Sequence, residues 1–458
     1  MPEMQTWEAP RIEPLTFTSV GKHLAADVLP GKGFADIPDI GGLLAEYGSP
    51  LFVVSESALR GLIRSFQATF QADGIDTQIA YSYKTNYLPA ICSIMHEEGA
   101  WAEIVSGMEY KLARALGTPG ENIVFNGPHK TREELETAFG EGALVNVDNF
   151  DELSLIEQIA AGIDRPCRLG IRVNFDFGPQ PWTKFGFNYD NGDCRAVLER
   201  LARNPALGLE VLHNHSGTFQ LVHEIYGRAA EVLIDVGREA RSLGLEPTGI
   251  DLGGGFPSAN RLKPEYDLPG SDTRAVGMLE PYAAAILSRL DKARDVFGGH
   301  PTLILEPGRA VVDSAVQLLC TVIAAKDIPD RGRALIVDAG VNLVPTACWY
   351  DHKVDTAEEE GGEWSGLEAV KVFGPLCMQI DVLRERAMLP HLVAGDPLVI
   401  SNVGAYCQTQ SMQFIQTRPA TVLLGPDGPE VIRQRESWRE VFALDHLPDR
   451  LRTDGAVF

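Results

Sequence analysis

The sequence predicts an α/β + β fold: a (β/α)8 TIM barrel joined to a C-terminal β-rich domain. Three observations predict it. Short apolar runs alternate with amphipathic stretches through the first two-thirds of the 458 residues, the pattern of a parallel α/β architecture. The alternation repeats about eight or nine times, and a closed barrel uses about 250 residues for eight such units. Beyond residue 311 strand-like runs follow one another with little helix between them. A doubly wound open sheet is the alternative that periodicity alone does not separate from the barrel.

The elements follow in order. Leu51–Val54 is an apolar strand, and Glu56–Phe70 carries apolar residues at helical spacing. Gln78–Ser82 is a strand, and Leu88–Glu98 a helix. Ile104–Val105 precedes a helix from Met108 to Leu116. Ile123–Phe125 precedes Thr131–Phe139, which opens on Thr131-x-x-Glu134, a capping-box spacing. Leu144–Val147 leads to a helix from Phe150 to Ala160. Arg168–Val173 and Leu209–Leu212 are strands, the second followed by a long helix from Val222 to Leu243. Gly249–Leu252 and Leu303–Leu305 complete the series. Val311–Ala324, Ala334–Val337, Glu368–Phe373, Pro397–Ile400 and Thr421–Leu424 read as strands of the second domain. Ile12–Val28 is extended in character and is expected to pair with it. The domains are therefore 1–48, packing with the β domain; 49–310, the barrel; and 311–458, the β-rich domain.

A net charge of −23 argues against a nucleic-acid backbone or an anionic membrane as a partner. The seven cysteines contain no Cys-x-x-Cys pair, which supports neither a zinc site nor a disulfide framework. The first residues lack the apolar core of a signal peptide, and no run of 18 apolar residues appears. A cytoplasmic protein is expected. The acidic stretch Glu358–Glu360 with Glu363 reads as a solvated loop.

Four motifs stand at the C-terminal ends of the expected barrel strands, where barrels of this kind carry their active sites. Tyr81-Ser-Tyr-Lys84-Thr-Asn86 ends an apolar strand on a lysine. Burial there is expected to lower the amine's pKa and make it a nucleophile able to form a Schiff base with an aldehyde. Leu212-His-Asn-His215-Ser-Gly-Thr218 carries two histidines at i and i+2, but no third metal ligand stands nearby. His215 instead offers a ring to a pocket, and Gly217 and Thr218 offer donors to an anion. Gly253-Gly254-Gly255 follows the strand Gly249–Leu252 and lets backbone N–H groups approach a phosphate. Glu306-Pro-Gly308-Arg309 brackets a tight turn with a carboxylate suited to a ring nitrogen and an arginine suited to an anion. Each motif alone has a plain structural explanation: a snorkelling lysine, a core histidine, a glycine turn, a surface ion pair. Together they call for a ligand with an aldehyde, a phosphate and a basic ring nitrogen, and pyridoxal 5′-phosphate has all three.

The motifs also resemble those of the fold-type III pyridoxal-phosphate decarboxylases, the group of diaminopimelate, ornithine and arginine decarboxylases. The resemblance runs from Tyr47-Gly-Ser-Pro-Leu51 to about Phe414. It includes Tyr83-Lys84-Thr-Asn86, Val105-Ser-Gly-Met-Glu109, Asn126-Gly127 with Lys130, Arg172-Val-Asn174 and Lys184-Phe-Gly186. It continues through His215-Ser-Gly-Thr218, Gly253-Gly-Gly255, Glu306-Pro-Gly-Arg309, Gly374-Pro-Leu-Cys377-x-x-x-Asp381 and Gly404-Ala-Tyr406. The resemblance implies an alanine racemase-like barrel with a C-terminal β domain that takes up the N-terminal strand. It implies Lys84 as the Schiff-base lysine, His215 stacked on the pyridine ring, Glu306 at the ring nitrogen and Arg172 near the ring's 3′-oxygen. Thr218, Gly254, Gly255, Gly308, Arg309 and Tyr406 would hold the phosphate. It further implies a homodimer with shared sites, in which Cys377 and Asp381 come from the neighbouring subunit and Cys377 protonates Cα after decarboxylation.

Departures from the family pattern fall on the substrate side. Met378 follows Cys377, where relatives of the diamine type carry an acidic residue. Tyr350-Asp351-His352 is similar to a segment of ornithine decarboxylases, so Tyr350 and Asp351 are expected at the substrate. The arginine that diaminopimelate decarboxylases place before a proline is missing at Val344-Pro345. Glu103 stands where aspartate is commoner. The residues after Tyr406 differ from those common in the family. These departures lead to an expected substrate other than plain diaminopimelate: a modified, conjugated or carrier-bound amino acid. Two other readings compete. A racemase on the same barrel would place arginine, not Glu306, at the ring nitrogen. A non-catalytic or regulatory pyridoxal-phosphate binder would have no need of Lys84 with Cys377.

Overall fold

In this computed structural model the described residues are 37, 39–176, 184–263, 278–329, 332–356 and 366–453. The expected N-terminal strand Ile12–Val28 and the acidic stretch Glu358–Glu363 lie outside them.

Eight parallel strands close into a barrel: β2 (Asp76–Ser82), β3 (Trp101–Ile104), β4 (Ile123–Phe125), β5 (Leu144–Val147), β6 (Cys167–Asn174), β8 (Leu207–His213), β9 (Gly249–Asp251) and β10 (Thr302–Leu305). The pairing of β5 with β6 and of β10 with β2 completes the circle. A two-residue strand, β7 (Phe187–Asn188), attaches to the end of β6. Helices between the strands bury one face each. In Glu56–Thr69 the buried residues are Ala58, Leu59, Ile63 and Phe66, and Phe66 meets Phe256 edge-on at 5.1 Å between ring centroids. The helix Arg132–Glu141 starts on the expected capping box. Thr131 accepts from the Glu134 amide at 3.3 Å, and Glu134 accepts from the Thr131 amide at 2.7 Å. Such a cap stabilises by about 1 kcal/mol.

The barrel interior has two layers of opposite character. Ala80, Val124, Leu144, Val211 and Ile304, from five different strands, form an apolar cluster with Trp101 packed against it. Two residues further along those strands stand Ser82, Asn126, Asn146, His213, Glu306 and, after Trp101, Glu103. All are buried. Arg172 and Asp251 occupy the corresponding level on β6 and β9. Side chains of a strand alternate with period two, so one inward step along each strand carries the interior from dry to polar. The candidate site sits on this polar layer.

A second, mostly antiparallel sheet runs β15 (Val382–Leu389), β14 (Glu368–Phe373), β12 (Gly332–Val337), β11 (Val316–Ile328), β1 (Leu51–Ser55), β17 (Ala420–Gly425) and β18 (Gly428–Arg433). A side branch pairs β13 (Val354–Thr356) with β16 (Pro397–Ser401), and β16 with β11. Leu51–Val54, counted from the sequence among the strand–helix units, belongs to this sheet. It pairs antiparallel with β11 and parallel with β17. Val311 and Val312, expected as strand, are helical, and β11 starts at Val316. Among the described residues no helix is long and apolar enough to cross a membrane.

Asp313 fastens the second sheet to the barrel. One carboxylate oxygen accepts from Ser258 Oγ and from Asn260 Nδ2 at 2.8 Å, and the other from the Ala405 amide at 3.0 Å. Asn260 Nδ2 also donates to the Asn402 carbonyl at 2.8 Å, and Asn86 Nδ2 to the Gly404 carbonyl at 2.9 Å. The Tyr406 amide donates to the Thr85 carbonyl at 2.8 Å. The loop bearing Tyr406 is thereby seated beside Lys84.

Candidate active site

Lys84 lies on a single 3-10 turn, Tyr83–Thr85, directly after β2. Its ammonium pairs with Glu103, which is fully buried and also accepts from Ser82 Oγ at 2.6 Å. The expectation of a lowered lysine pKa is corrected here. Burial pulls the value down, but the Glu103 and Glu306 carboxylates outweigh it and hold the amine above its ordinary value. The two carboxylates come from the next strand, β3, and from the turn after β10, more than 200 residues further along the chain.

Asn126 bridges the carboxylates. Its Nδ2 donates to Glu103 at 2.9 Å and to Glu306 at 2.6 Å. Asn146 continues the chain, donating to Asn126 at 2.8 Å and to Asp251 at 3.1 Å. Burial, followed by the neighbouring Asp251 and Glu103, pushes Glu306 well above the usual carboxylate range. Burial likewise raises Asp251 to about 6.

His215 accepts at Nδ1 from the Gly254 amide at 3.0 Å. Burial, then the Arg172 and Lys84 cations, drives its pKa well below the ordinary value, so the ring is neutral. Arg172 pairs with Asp148 at 3.7 Å and covers the Phe185 ring at 4.2 Å. Arg309 is buried among three rings, at 5.5 Å from Phe219, 4.8 Å from Tyr350 and 5.0 Å from Tyr406. Its Nη1 has no hydrogen-bond partner although it is buried. A buried guanidinium nitrogen left unpaired is costly and calls for an anion.

The glycine turn meets the same site. Gly255 has φ +88°, and a Cβ there would collide with the Gly217 carbonyl oxygen. Gly255→Ala is expected to weaken pyridoxal-phosphate binding at least about tenfold through strain at the positive φ and displacement of the His215 loop. Fluorescence titration of the apoenzyme measures this; an unchanged dissociation constant would contradict the assignment of the turn to the cofactor.

Several substrate-side expectations have partners inside the chain. Tyr350 is buried against Phe219 and Arg309. Asp351 pairs with Arg384 at 3.7 Å. Asp381 is buried and accepts from the Val341 amide at 2.8 Å and the Leu376 amide at 2.7 Å. Thr218 is exposed at the end of the His215 loop, and Met378 is half-buried. Cys377 is exposed, and among the described residues no hydrogen bond or ion pair links it to the Lys84 cluster. Asn126, Asn146 and Asp251 escaped the sequence reading as members of the site. Their signal is the apolar residue, or glycine, two positions earlier on each strand.

A buried lysine directly after a barrel strand, a neutral imidazole, a buried carboxyl and an unpaired buried guanidinium fit a pyridoxal-phosphate enzyme of the barrel class. The comparisons agree. The pyridoxal-binding domain of pyridoxal-dependent decarboxylases matches residues 58–313, over half of the chain. The chain belongs to the pyridoxal-dependent decarboxylase family, and its cofactor is pyridoxal phosphate. It is 30% identical to the diaminopimelate decarboxylase of Methanothermobacter thermautotrophicus, over 89% of this chain and 94% of that one. It is 29% identical to the enzyme of that name from Archaeoglobus fulgidus, over 89% and 96%. The crystal structure of diaminopimelate decarboxylase from Methanocaldococcus jannaschii in co-complex with L-lysine superposes with a TM-score of 0.80, at 27% identity, covering 90% of this chain and 95% of that one.

Proposed function

We propose that the chain removes the α-carboxylate of an amino acid as carbon dioxide, with pyridoxal phosphate attached at Lys84. The observation that carries this reading is Lys84 at the mouth of a polar layer whose carboxylates serve different tasks. When bound, the cofactor supplies the electron sink that accepts the pair left by the departing carboxylate. Glu103 is placed to take the proton that Lys84 Nζ loses on becoming a nucleophile. Glu306 stands at the level assigned to the ring nitrogen, where its carboxylate would accept a hydrogen bond from the protonated nitrogen and keep it charged. His215 offers a flat neutral face. Arg309, Tyr406 and the backbone of Gly254, Gly255 and Gly308 would anchor the phosphate.

We infer that a second copy of the chain supplies Cys377, so the working form is a homodimer. Asp381 supports this by fixing the loop from Gly374 to Asp381 through the Val341 and Leu376 amides. Exposed apolar residues stand on that loop and on another tied to the same turn. Ile380 is 76% exposed, and Met412 and Ile415 stand on a second loop tied to Asn342.

The names of the relatives make diaminopimelate the first substrate to test. Two features support a different far end. Met378 beside Cys377 carries no charge, and Asp351 is already paired with Arg384. A panel of meso-diaminopimelate, lysine, ornithine, arginine and a glutamyl conjugate, assayed for carbon dioxide release, decides the matter. The conjugate is expected to exceed the free amino acids in kcat/KM by at least about 100-fold, or 2.7 kcal/mol. Ordinary efficiency on diaminopimelate would return the chain to the reaction its relatives are named for. Deuterium entering Cα without carbon dioxide release would replace decarboxylation with racemisation.

A further inference from the structure

Arg309 is 7% exposed, and among the described residues no carboxylate pairs with it. Asp313, one turn further along, has both oxygens engaged by Ser258, Asn260 and the Ala405 amide. A buried cation without a counterion is costly. Here three rings take the counterion's place. The guanidinium carbon lies 5.5 Å from the centroid of Phe219, 4.8 Å from that of Tyr350 and 5.0 Å from that of Tyr406. The negative faces of such rings stabilise a cation. A carboxylate would also occupy the N–H donors, whereas a ring face leaves them available, and the buried Nη1 has no partner.

The rings are held in place by their surroundings. Phe219 and Tyr406 stand at φ +51° and +65°, a region that residues other than glycine rarely adopt and that points to function where it persists. Phe219 and Tyr350 are both buried, with centroids 5.1 Å apart, in a cluster with Leu221, Leu262 and Trp349. Backbone hydrogen bonds fix Tyr350 from both sides. The Lys263 amide donates to the Trp349 carbonyl at 2.9 Å, and the Asp351 amide to the Arg261 carbonyl at 2.9 Å.

We propose that Phe219 and Tyr350 are positioning residues: with Tyr406 they cage the Arg309 guanidinium on ring faces and leave its Nη1 donors for the cofactor's phosphate. Tyr350 thereby serves the cofactor rather than the substrate. The inference rests on the reading of Arg309 as a phosphate anchor.

The test compares binding of pyridoxal phosphate with binding of 5′-deoxypyridoxal, which lacks the phosphate, to apoenzyme prepared from the holoenzyme. The readout is the ratio of the two dissociation constants. Phe219→Leu and Tyr350→Leu should each weaken pyridoxal phosphate about 5- to 30-fold and 5′-deoxypyridoxal less than about twofold. Tyr350→Phe, which keeps the ring face, should hold the wild-type ratio. A displaced His215 loop would weaken both ligands alike. Arg309→Met separates the two readings. If it removes the preference for the phosphate while the leucine variants weaken both ligands alike or neither, the cage is overturned. If it leaves the preference intact, the reading of Arg309 falls. Should the leucine variants fail to fold, mono-, di- and trifluorinated phenylalanine at position 219 decides, because fluorine drains the ring face and nearly keeps its shape. The preference should fall with each fluorine, and a flat series would overturn the cage.

Discussion

Lys84→Ala is expected to lower kcat by at least about three orders of magnitude, equivalent to 4 kcal/mol or more. Among the described residues Lys84 is the amine directly after a barrel strand that pairs with a carboxylate of the polar layer; the buried Lys130 is held instead by Glu152 and by the Gly127 and Asn146 carbonyls. The loss therefore removes covalent attachment and proton transfer together. Cofactor should still bind, because the phosphate contacts proposed for Arg309, Tyr406 and the glycine turn do not depend on Lys84. The measurement is borohydride reduction followed by peptide mass analysis. In the wild type the reduced cofactor should sit on the peptide containing Lys84, and in the variant no lysine should carry it. Labelling at another lysine, or activity within tenfold of the wild type, would remove Lys84 from its role.

Cys377→Ala should lower kcat about 100-fold, the usual contribution of a placed proton donor, with the cofactor spectrum unchanged. A subunit-mixing experiment makes the expectation sharper. If Cys377 acts in the site of its neighbour, each Lys84→Ala/Cys377→Ala heterodimer holds one intact site. Random mixing of the two inactive variants makes half the dimers mixed, so activity should return to about one quarter of the wild type. Recovery near that level would establish both the dimer and the shared site. No recovery in a mixture shown by mass to contain heterodimers would place Cys377 outside the neighbouring site.

Much of the barrel was legible because its strands are buried and its helices are amphipathic. The helix Phe150–Ala160 and the strand Glu368–Phe373 have the bounds the pattern predicts. Leu51–Val54 misled for a physical reason. An apolar strand followed by a capped amphipathic helix satisfies the local signature of a barrel unit, while its partners β11 and β17 lie hundreds of residues away. β15 and β18 escaped because Arg384, Glu385 and Arg386 in one and Pro429 and Glu430 in the other interrupt apolar alternation on half-exposed strands. At the site, the motifs located Lys84, His215, Glu306 and Arg309. They did not reveal the charge state of Lys84, which Glu103 and Glu306 set from other strands. Nor did they reveal Asp251 with Glu306 beside His213, because their adjacency is created only when the barrel closes.

The fastening of the Tyr406 loop by Asp313 and Asn86 has a consequence for synthesis. The chain leaves the ribosome from its N-terminus, and Lys84 emerges early. The barrel cannot close until β10 has been made, and the loop bearing Tyr406, a proposed part of the phosphate seat, spans Asn402–Tyr406. β1 must also wait, with one edge for β11 and the other for β17. A nascent chain therefore cannot complete its proposed cofactor site until Tyr406 has been made, and products truncated before that loop should carry no fully formed site.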